Sequence, residues 1–347
     1  MALKRSIDEC SRGAYASHDF SKNDNLMNKP TYAINISNLN KTYSRGKSRE
    51  SIEALKEVNL KIKRGSFFGL LGPNGAGKST FINILAGLVK KTSGYVEIWG
   101  YEIETQMRDA RRAIGVVPQE LNIDPFFTPR EVLELQAGLY GLASKHRQTE
   151  KILQTVGLVE QANAYSRSLS GGMRRRLLIA KAMVHSPPIL VLDEPSAGVD
   201  VELRKKMWEH MKQINQNGTT VLLTTHYLEE AEALCDTIGI INHGCLVACE
   251  KTTNLLSSLD TKEITVFLDR ELIKIPESLK SFKVSLFDKR RLVFSYRPSK
   301  QSAGTIIKAI KKCKLEISDI KSKEVDLEDI FIEITRAPVV SQKKVSG

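Results

Sequence analysis

Gly72, Pro73, Asn74, Gly75, Ala76, Gly77, Lys78, Ser79 and Thr80 follow the spacing GxxxxGK[ST]. Glycines at these places let a backbone wrap closely enough for its amides to point at phosphate oxygens. A helix beginning at the lysine would add its positive N-terminal end. Lys78 would bring a compact charge to the β- and γ-phosphates, and Ser79 a hydroxyl for Mg2+. Farther along, the apolar residues 189–192 run straight into Asp193 and Glu194. A buried parallel strand delivers such residues to its C-terminal edge, where α/β proteins bind ligands. There Asp193 would join a Mg2+ shell, and Glu194 would act on an attacking water as general base. Two acids after a strand carry little information alone; the phosphate loop upstream gives them weight. A third stretch, Leu169, Ser170, Gly171, Gly172 and Met173, reads either as a second anion site at a helix start or as a plain serine N-cap. One nucleotide needs one phosphate loop, so a second anion site implies a second ligand or a nucleotide held by a partner.

These groups work only if the chain places them. Residues 67–71 are a continuous apolar run ending in the glycine-rich loop, and from Lys78 onward Phe81, Ile82, Leu85 and Leu88 share one helical face. Strand, loop, helix is the context a phosphate-binding loop requires. A mainly helical stretch over 129–183 is followed by a strand at 189–192, a helix at 203–214, a strand at 219–223 and a helix at 227–234. Such alternation predicts an α/β fold with a parallel sheet covered on both faces. Upstream, Tyr32, Ile34 and Ile36 alternate as in a half-buried strand, as do Val58, Leu60 and Ile62. Past residue 258 the character changes. Phe282, Val284 and Leu286 alternate, then Leu292, Phe294 and Tyr296, and Ala303, Ile306, Ile307 and Ile310 mark a helix face. Leu327, Ile330, Phe331 and Ile334 mark another. The expected organisation is a disordered polar tail over 1–30, a main domain over 31–250, a small α+β C-terminal domain over 259–338 and a flexible tail over 339–347.

In order and spacing, GPNGAGKST, LSGG, VLDEP and a downstream TTH across residues 31–250 resemble the nucleotide-binding domain of ATP-binding-cassette (ABC) transporters. That resemblance implies a P-loop NTPase core with an antiparallel β subdomain and an α-helical subdomain over about 126–184. It implies ATP as ligand with Mg2+, and hydrolysis. Tyr43 matches the aromatic that stacks on adenine, and Gln119 the glutamine that reaches the metal and senses a membrane partner. Ser170, Gly171 and Gly172 match the signature that caps the γ-phosphate of an opposing copy, so a homodimer with ATP sandwiched between copies is expected. Gly198 and Asp200 match the loop that communicates across that dimer, and His226 the switch histidine at the γ-phosphate. Catalytic roles are thus expected for Glu194, His226, Lys78 and Gln119, and metal contacts for Ser79, Gln119 and Asp193. Met173 and the following Arg174, Arg175 and Arg176 resemble the export branch that serves drugs, polysaccharides and other envelope cargo, as do Glu229, Glu230, Ala231 and Glu232, and 327–331. Residues 117–125, with Ser196, Ala197, Gly198, Val199 and Asp200, resemble YadG-type subunits, which pair with a separate six-span permease.

Bulk properties narrow the alternatives. Cys10, Cys235, Cys245, Cys249 and Cys313 are odd in number and contain no CxxC pair, so neither a disulfide framework nor a zinc site is suggested. No run approaches the ~18 apolar residues of a membrane span, and the N-terminus lacks the apolar run of a secretory signal. The expected location is therefore peripheral, on the cytoplasmic face of a membrane whose pore is another chain. The net charge is +12, and residues 271–347 hold 17 Lys and Arg against 10 Asp and Glu, or +7. These cations do not interleave with aromatics as a nucleic-acid platform would want, so no nucleic acid is expected. A soluble ATPase working on ribosomes or DNA is the competing reading. One cassette and no sustained heptads weigh against it. Intact Glu194 and His226 weigh against a nucleotide sensor that does not hydrolyse.

Overall fold

The computed structural model describes residues 30–44, 51–197, 199–258, 262–298 and 300–324. The chain divides after Cys249 into two compact units. The first contains β1 (Tyr32–Ser44), β2 (Ser51–Lys63), β3 (Phe67–Leu71), α1 (Lys78–Leu85), β4 (Ser93–Ile98), β5 (Tyr101–Glu102), α2 (Met107–Arg112) and β6 (Ile114–Val117). Then follow α3 (Pro129–Leu139), α4 (Thr149–Thr155), α5 (Gly171–Met183), β7 (Ile189–Asp193), α6 (Val201–Gln216), β8 (Thr220–Thr225), α7 (Leu228–Leu234), β9 (Thr237–Asn242) and β10 (Cys245–Lys251).

The central sheet has the order β10-β9-β3-β8-β7-β6, and β9, β3, β8, β7 and β6 run parallel. Its middle strands are buried on both faces and read as apolar runs, which is what a covered parallel sheet demands. Register fixes the site. Leu71 pairs with Thr225, and Asp193 pairs with Thr224. The phosphate loop, Glu194 and His226 therefore leave neighbouring strands at the same edge.

A second, antiparallel sheet has the order β2-β1-β4-β5. Helix α1 lies in the core between the sheets, so Phe81, Ile82, Ile84 and Leu85 meet Ile34, Val58 and Val96 as well as Phe68, Val191 and Leu222. Leu88 does not continue that buried face, contrary to the periodicity, and is 76% exposed. The cause is a glycine C-cap. Gly87 adopts φ +68°. Its N–H donates to the Ile84 carbonyl, and that of Leu88 to the Asn83 carbonyl. These are the two bonds of a Schellman motif, which stops the helix and swings Leu88 outward.

The helical part over 129–183 has its own core of Val132, Leu133, Ile152, Leu153, Leu169 and Leu177 from α3, α4, α5 and the loops between. A capping box starts α3, with Thr128 and Glu131 satisfying each other's backbone N–H. His185, just past α5, stacks on Tyr140 at 3.8 Å and approaches the Ile114 carbonyl with Nε2 at 3.2 Å. It joins this part to the central sheet.

The second unit contains α8 (Thr252–Ser258), β11 (Lys262–Leu268), β12 (Lys283–Phe287), β13 (Arg291–Tyr296), α9 (Ala303–Lys312) and β14 (Ile317–Glu324). Its antiparallel sheet has the order β12-β13-β11-β14. Ile306 and Ile310 of α9 pack with Ile264, Val266, Leu292 and Phe294, so this unit has a separate core. The alternation over 292–296 and the face of Ile306 and Ile310 lie where the sequence pattern puts them. The tails over 1–29 and 339–347, and the helix face of Leu327, Ile330, Phe331 and Ile334, lie outside the described residues. Among the described residues no helix is long and apolar enough to cross a membrane.

His185 makes acid stability testable. Burial lowers its pKa from 6.5 to about 4, against the Ile114 hydrogen bond. A group whose folded pKa is depressed is protonated first in the unfolded chain. Its contribution is therefore complete above pH 6.5 and is lost as the pH falls towards 4. The full loss would be about 3 kcal/mol. His185→Phe keeps a ring against Tyr140, so the drop in thermal midpoint between neutral and mildly acid buffer should shrink. An unchanged drop would show that other groups set the acid limb.

Candidate functional site

A cavity of about 730 Å³ opens at the shared strand edge. Asn74, Gly75, Gly77, Lys78, Ser79 and Thr80 line it from the loop between β3 and α1, and Gln119, Glu194 and His226 from the ends of β6, β7 and β8. The loop's path needs glycine at one position above the others. Gly77 has φ +110°, and a Cβ there would meet the Ala54 carbonyl at 2.6 Å. An L-residue would be strained by the conformation and blocked by the space. The turn between β9 and β10 braces the loop from behind, with the Gly244 N–H donating to the Ala76 carbonyl and the Lys56 N–H to the Gly244 carbonyl.

Glu194 is the centre of the polar contacts. Gln119 Nε2 donates to its Oε2 at 3.1 Å. His226 Nδ1 lies 3.3 Å from the same oxygen, and Lys78 Nζ lies 3.8 Å from Oε1. Lys78 also donates to the carbonyls of Gly72 at 2.7 Å and Pro73 at 3.2 Å. The residue before it, Asp193, has Oδ1 held by the Thr224 hydroxyl at 2.6 Å. Thr224 also accepts the Glu194 N–H, on its carbonyl at 3.0 Å and on its hydroxyl at 3.2 Å. Glu194 takes φ +45°, outside the usual range for a side chain of its size. That twist comes directly after the last residue of β7.

Burial decides the local electrostatics. It pushes the Lys78 ammonium below its ordinary pKa, and the carboxylates of Glu194 and Asp193 pull it back up. It raises the Asp193 carboxyl above the usual range, against the Thr224 hydrogen bond and the charges of Lys78 and Arg175. A buried lysine flanked by two acids is a group ready to trade partners for an anion.

The other expected residues are placed as follows. Tyr43 does not line the cavity, but its strand partner Ile52 does. Tyr43 is 38% exposed, with Lys41 Nζ 4.6 Å from its ring centre. Ser170, Gly171 and Gly172 are also absent from the lining, and Ser170 and Gly171 are exposed at the start of α5. Ser170 Oγ accepts the Met173 N–H at 3.3 Å, so the N-cap reading holds whatever else the segment does. Asp200 is exposed just before α6, and Gly198 lies outside the described residues.

Several neighbours escaped the sequence reading. Ile52, Ala54, Lys56, His243 and Gly244 line the cavity from β2 and the β9–β10 turn. No motif marks them, because they reach the site only through sheet packing. Arg175 belongs to a basic run that reads as a branch marker. It is buried at 4% exposure and holds the carbonyls of Pro118 at 3.0 Å and Gln119 at 2.8 Å. Thr224 was legible only as part of TTH; its hydroxyl bond to Asp193 depends on register between β7 and β8.

Comparisons with known proteins identify the relatives of this chain. A family model described as "ABC transporter" matches residues 55–197. The linearmycin resistance ATP-binding protein LnrL of Bacillus subtilis is 44% identical over 208 residues, covering 59% of this chain and 67% of that one. The Nod factor export ATP-binding protein I of Burkholderia thailandensis is 34% identical over 280 residues, covering 80% and 90%. Its counterpart in Cupriavidus pinatubonensis is 41% identical over 206 residues, so this chain spans only 63% of that relative. Among solved structures, a dimeric ATP-binding cassette in a post-hydrolysis state with ADP and Pi is 32% identical, with TM-score 0.56 over 63% of this chain and 98% of that one. CbiO1 of Clostridium perfringens is 25% identical, with TM-score 0.58 over 67% and 95%. These relatives do not favour the ribosome or DNA alternative.

The Thr224 bond gives a direct test of the site's internal support. Thr224→Val keeps shape and removes the hydroxyl, leaving the oxygen of the half-buried Asp193 without its donor. It should cost about 1–3 kcal/mol of stability in denaturant unfolding, and Thr224→Ser should recover most of it. Equal stability of the valine variant and the parent would mean that Asp193 does not depend on this bond.

Proposed function

The chain belongs to the ABC transporter family as an ATP-binding, ATP-hydrolysing subunit of the export type, and from that premise we propose how its own residues do the work. The observation that carries the reading is the convergence of Lys78, Gln119 and His226 on Glu194 at the mouth of the phosphate loop.

ATP enters along the cavity with its phosphates over residues 72–80, whose amides and α1 N-terminus favour negative charge. Lys78 exchanges the Gly72 and Pro73 carbonyls for phosphate oxygens. Tyr43, one strand over from Ile52, stacks on the base. Mg2+ suits this site: Ser79 and Gln119 line the cavity and Asp193 directly precedes the lining Glu194, and Mg2+ bound to a nucleotide needs only one or two protein oxygens beside phosphate and water. Ser79, Asp193 and Gln119 would hold it, and when bound it supplies positive charge to the phosphates. Glu194 accepts the proton of the water that attacks the γ-phosphate in line, and His226 steadies the γ-phosphate oxygens as charge shifts. Glu194 passes its proton to the departing phosphate or to water, phosphate release leaves ADP, and the carboxylate returns to Gln119 and His226.

Two copies work head to tail, each placing Ser170, Gly171 and Gly172 against the nucleotide of the other. What supports this is the exposure of Ser170 and Gly171 and the absence of all three from the cavity of their own copy. ATP then ties the copies together, and hydrolysis lets them part.

A separate multi-span permease carries the cargo. The region behind Gln119 offers it an apolar face, with Leu121, Phe126, Phe127, Leu135 and Leu139 between 37% and 74% exposed. Arg175 links that region's backbone to the signature helix α5, so a push on one moves the other. On this reading the chain works peripherally, on the cytoplasmic face of the membrane. Relatives named for linearmycin resistance and Nod factor export suggest outward cargo, whose identity the permease sets.

Three results are expected. Glu194→Gln should bind ATP, form a stable dimer in its presence and turn over at least a hundredfold more slowly, which is the order removed with a general base. Normal hydrolysis by this variant would refute the general-base role. Lys78→Ala should lose Mg-ATP affinity by calorimetric titration, and unchanged affinity would refute the phosphate contact. Purification of the tagged chain from detergent-extracted membranes should recover a multi-span protein in near-equal amount, whereas ribosomal or DNA-repair proteins would replace the transport reading.

A further inference from the structure

Behind the catalytic edge lies a cluster that the chemistry above does not use. It begins on α6, whose N-terminus follows the loop after Glu194. Arg204 donates from Nη2 to the Val199 carbonyl of that loop at 3.2 Å. Its guanidinium carbon also sits 4.5 Å from the ring centre of Tyr227. The Tyr227 ring in turn lies 4.2 Å from the His226 ring, tilted by 36°. His226 reaches Glu194 at 3.3 Å.

The cluster is anchored from below. Tyr227 N–H donates to Thr225 Oγ1 at 2.9 Å, which fixes the turn from β8 into α7. One turn on, Glu230 is fully buried and accepts from Trp208 Nε1 of α6 at 3.0 Å. Burial raises its carboxyl above the usual range, while the Thr225, Ser196 and Trp208 donors and the Arg204 charge lower it. Helices α6 and α7 are thus locked together beneath Arg204 and Tyr227.

A half-exposed histidine loses rotamer freedom only if something flanks it. His226 is 43% exposed at its side chain. The Tyr227 face supplies one wall, and the guanidinium holds that face in place by a cation–π contact. The same guanidinium grips the loop at Val199. One rigid, planar group therefore touches both the loop and the support of the histidine.

We propose that Arg204 and Tyr227 are positioning residues that set the His226 ring against Glu194 and couple it to the loop at Val199, so that a shift of this loop moves the histidine. This rests on the reading of Glu194 and His226 given above.

The test measures ATP hydrolysis by the full-length chain against ATP concentration, with thermal midpoints recorded in parallel. Arg204→Ala and Tyr227→Ala should each lower kcat about tenfold with KM for ATP changed less than twofold, since neither lines the cavity. Tyr227→Phe keeps the ring and should stay within about twofold of the parent. The double variant should be no slower than the slower single, as expected for residues acting through one contact. The proposal is overturned if either alanine variant keeps the parental kcat, if the two losses multiply, or if Tyr227→Phe falls as far as Tyr227→Ala. A kcat loss that tracks a fall in midpoint and is matched by a rise in KM overturns it as well. Glu194→Gln in the same assay separates the layers. Normal turnover there removes the Glu194 assignment and the coupling to it, whereas an inert Glu194→Gln beside a fully active Arg204→Ala removes the coupling alone.

Discussion

A carboxylate taken out of water must be given partners, and the architecture of the first unit follows from doing so twice at the end of one strand. Glu194 is only 9% exposed, and Asp193 is half-buried beside it. Left bare, either would take up a proton or force the strand end open. Lys78, Gln119 and His226 surround the first, and Thr224 holds the second. These partners come from three different strand–loop junctions, after β3, β6 and β8. The local charge balance therefore ties together segments far apart in the chain, and it makes the site sensitive to anything that moves one of those loops.

Parallel strands make that convergence cheap in backbone terms. Since β3, β7 and β8 are paired in register, their C-terminal ends emerge side by side with no loop needing to reach across. The helix dipole of α1, the lysine at its first turn and the acids of β7 then share one mouth. The peptide amides of the glycine loop complete an environment that suits a polyanion. The same sheet cannot recognise the far side of a nucleotide. The antiparallel sheet contributes there, bringing Ile52 and Ala54 to the cavity and Tyr43 to its neighbourhood.

Arginine carries the mechanical connections between the parts of this unit. Arg175 and Arg176, adjacent on α5, reach opposite ways: one to the carbonyls beside Gln119, the other to those of Val156 and Gly157 at the end of α4. Arg204 does the same between the loop at Val199 and Tyr227. A guanidinium suits this because its donors lie in a fixed fork and its face stacks on rings. The second unit holds a link of the same kind, Arg270 donating to the Lys314 carbonyl at 2.7 Å, while its antiparallel sheet and α9 bury their own core.

The sequence by itself determined the chemistry and the order of elements. The phosphate loop, the two acids after an apolar run and the histidine after the next strand are local patterns, since each depends on a residue's chain neighbours and on strand or helix period. The alternations at 32–36, 58–62 and 292–296 were legible for the same reason, because a face buried against a core leaves its period in the sequence. Short or edge strands such as β5, β10 and β14 leave weaker marks. The stop of α1 before Leu88 was masked by an apolar residue that happened to keep the helical spacing after a glycine cap. Only the tertiary structure decided that Thr224 holds Asp193, that Arg175 holds the Gln119 backbone, that Ile52 and His243 face the cavity, and that Arg204 reaches Tyr227. Those contacts span sheet register and helix packing, and no residue's type or spacing records which distant surface it will meet.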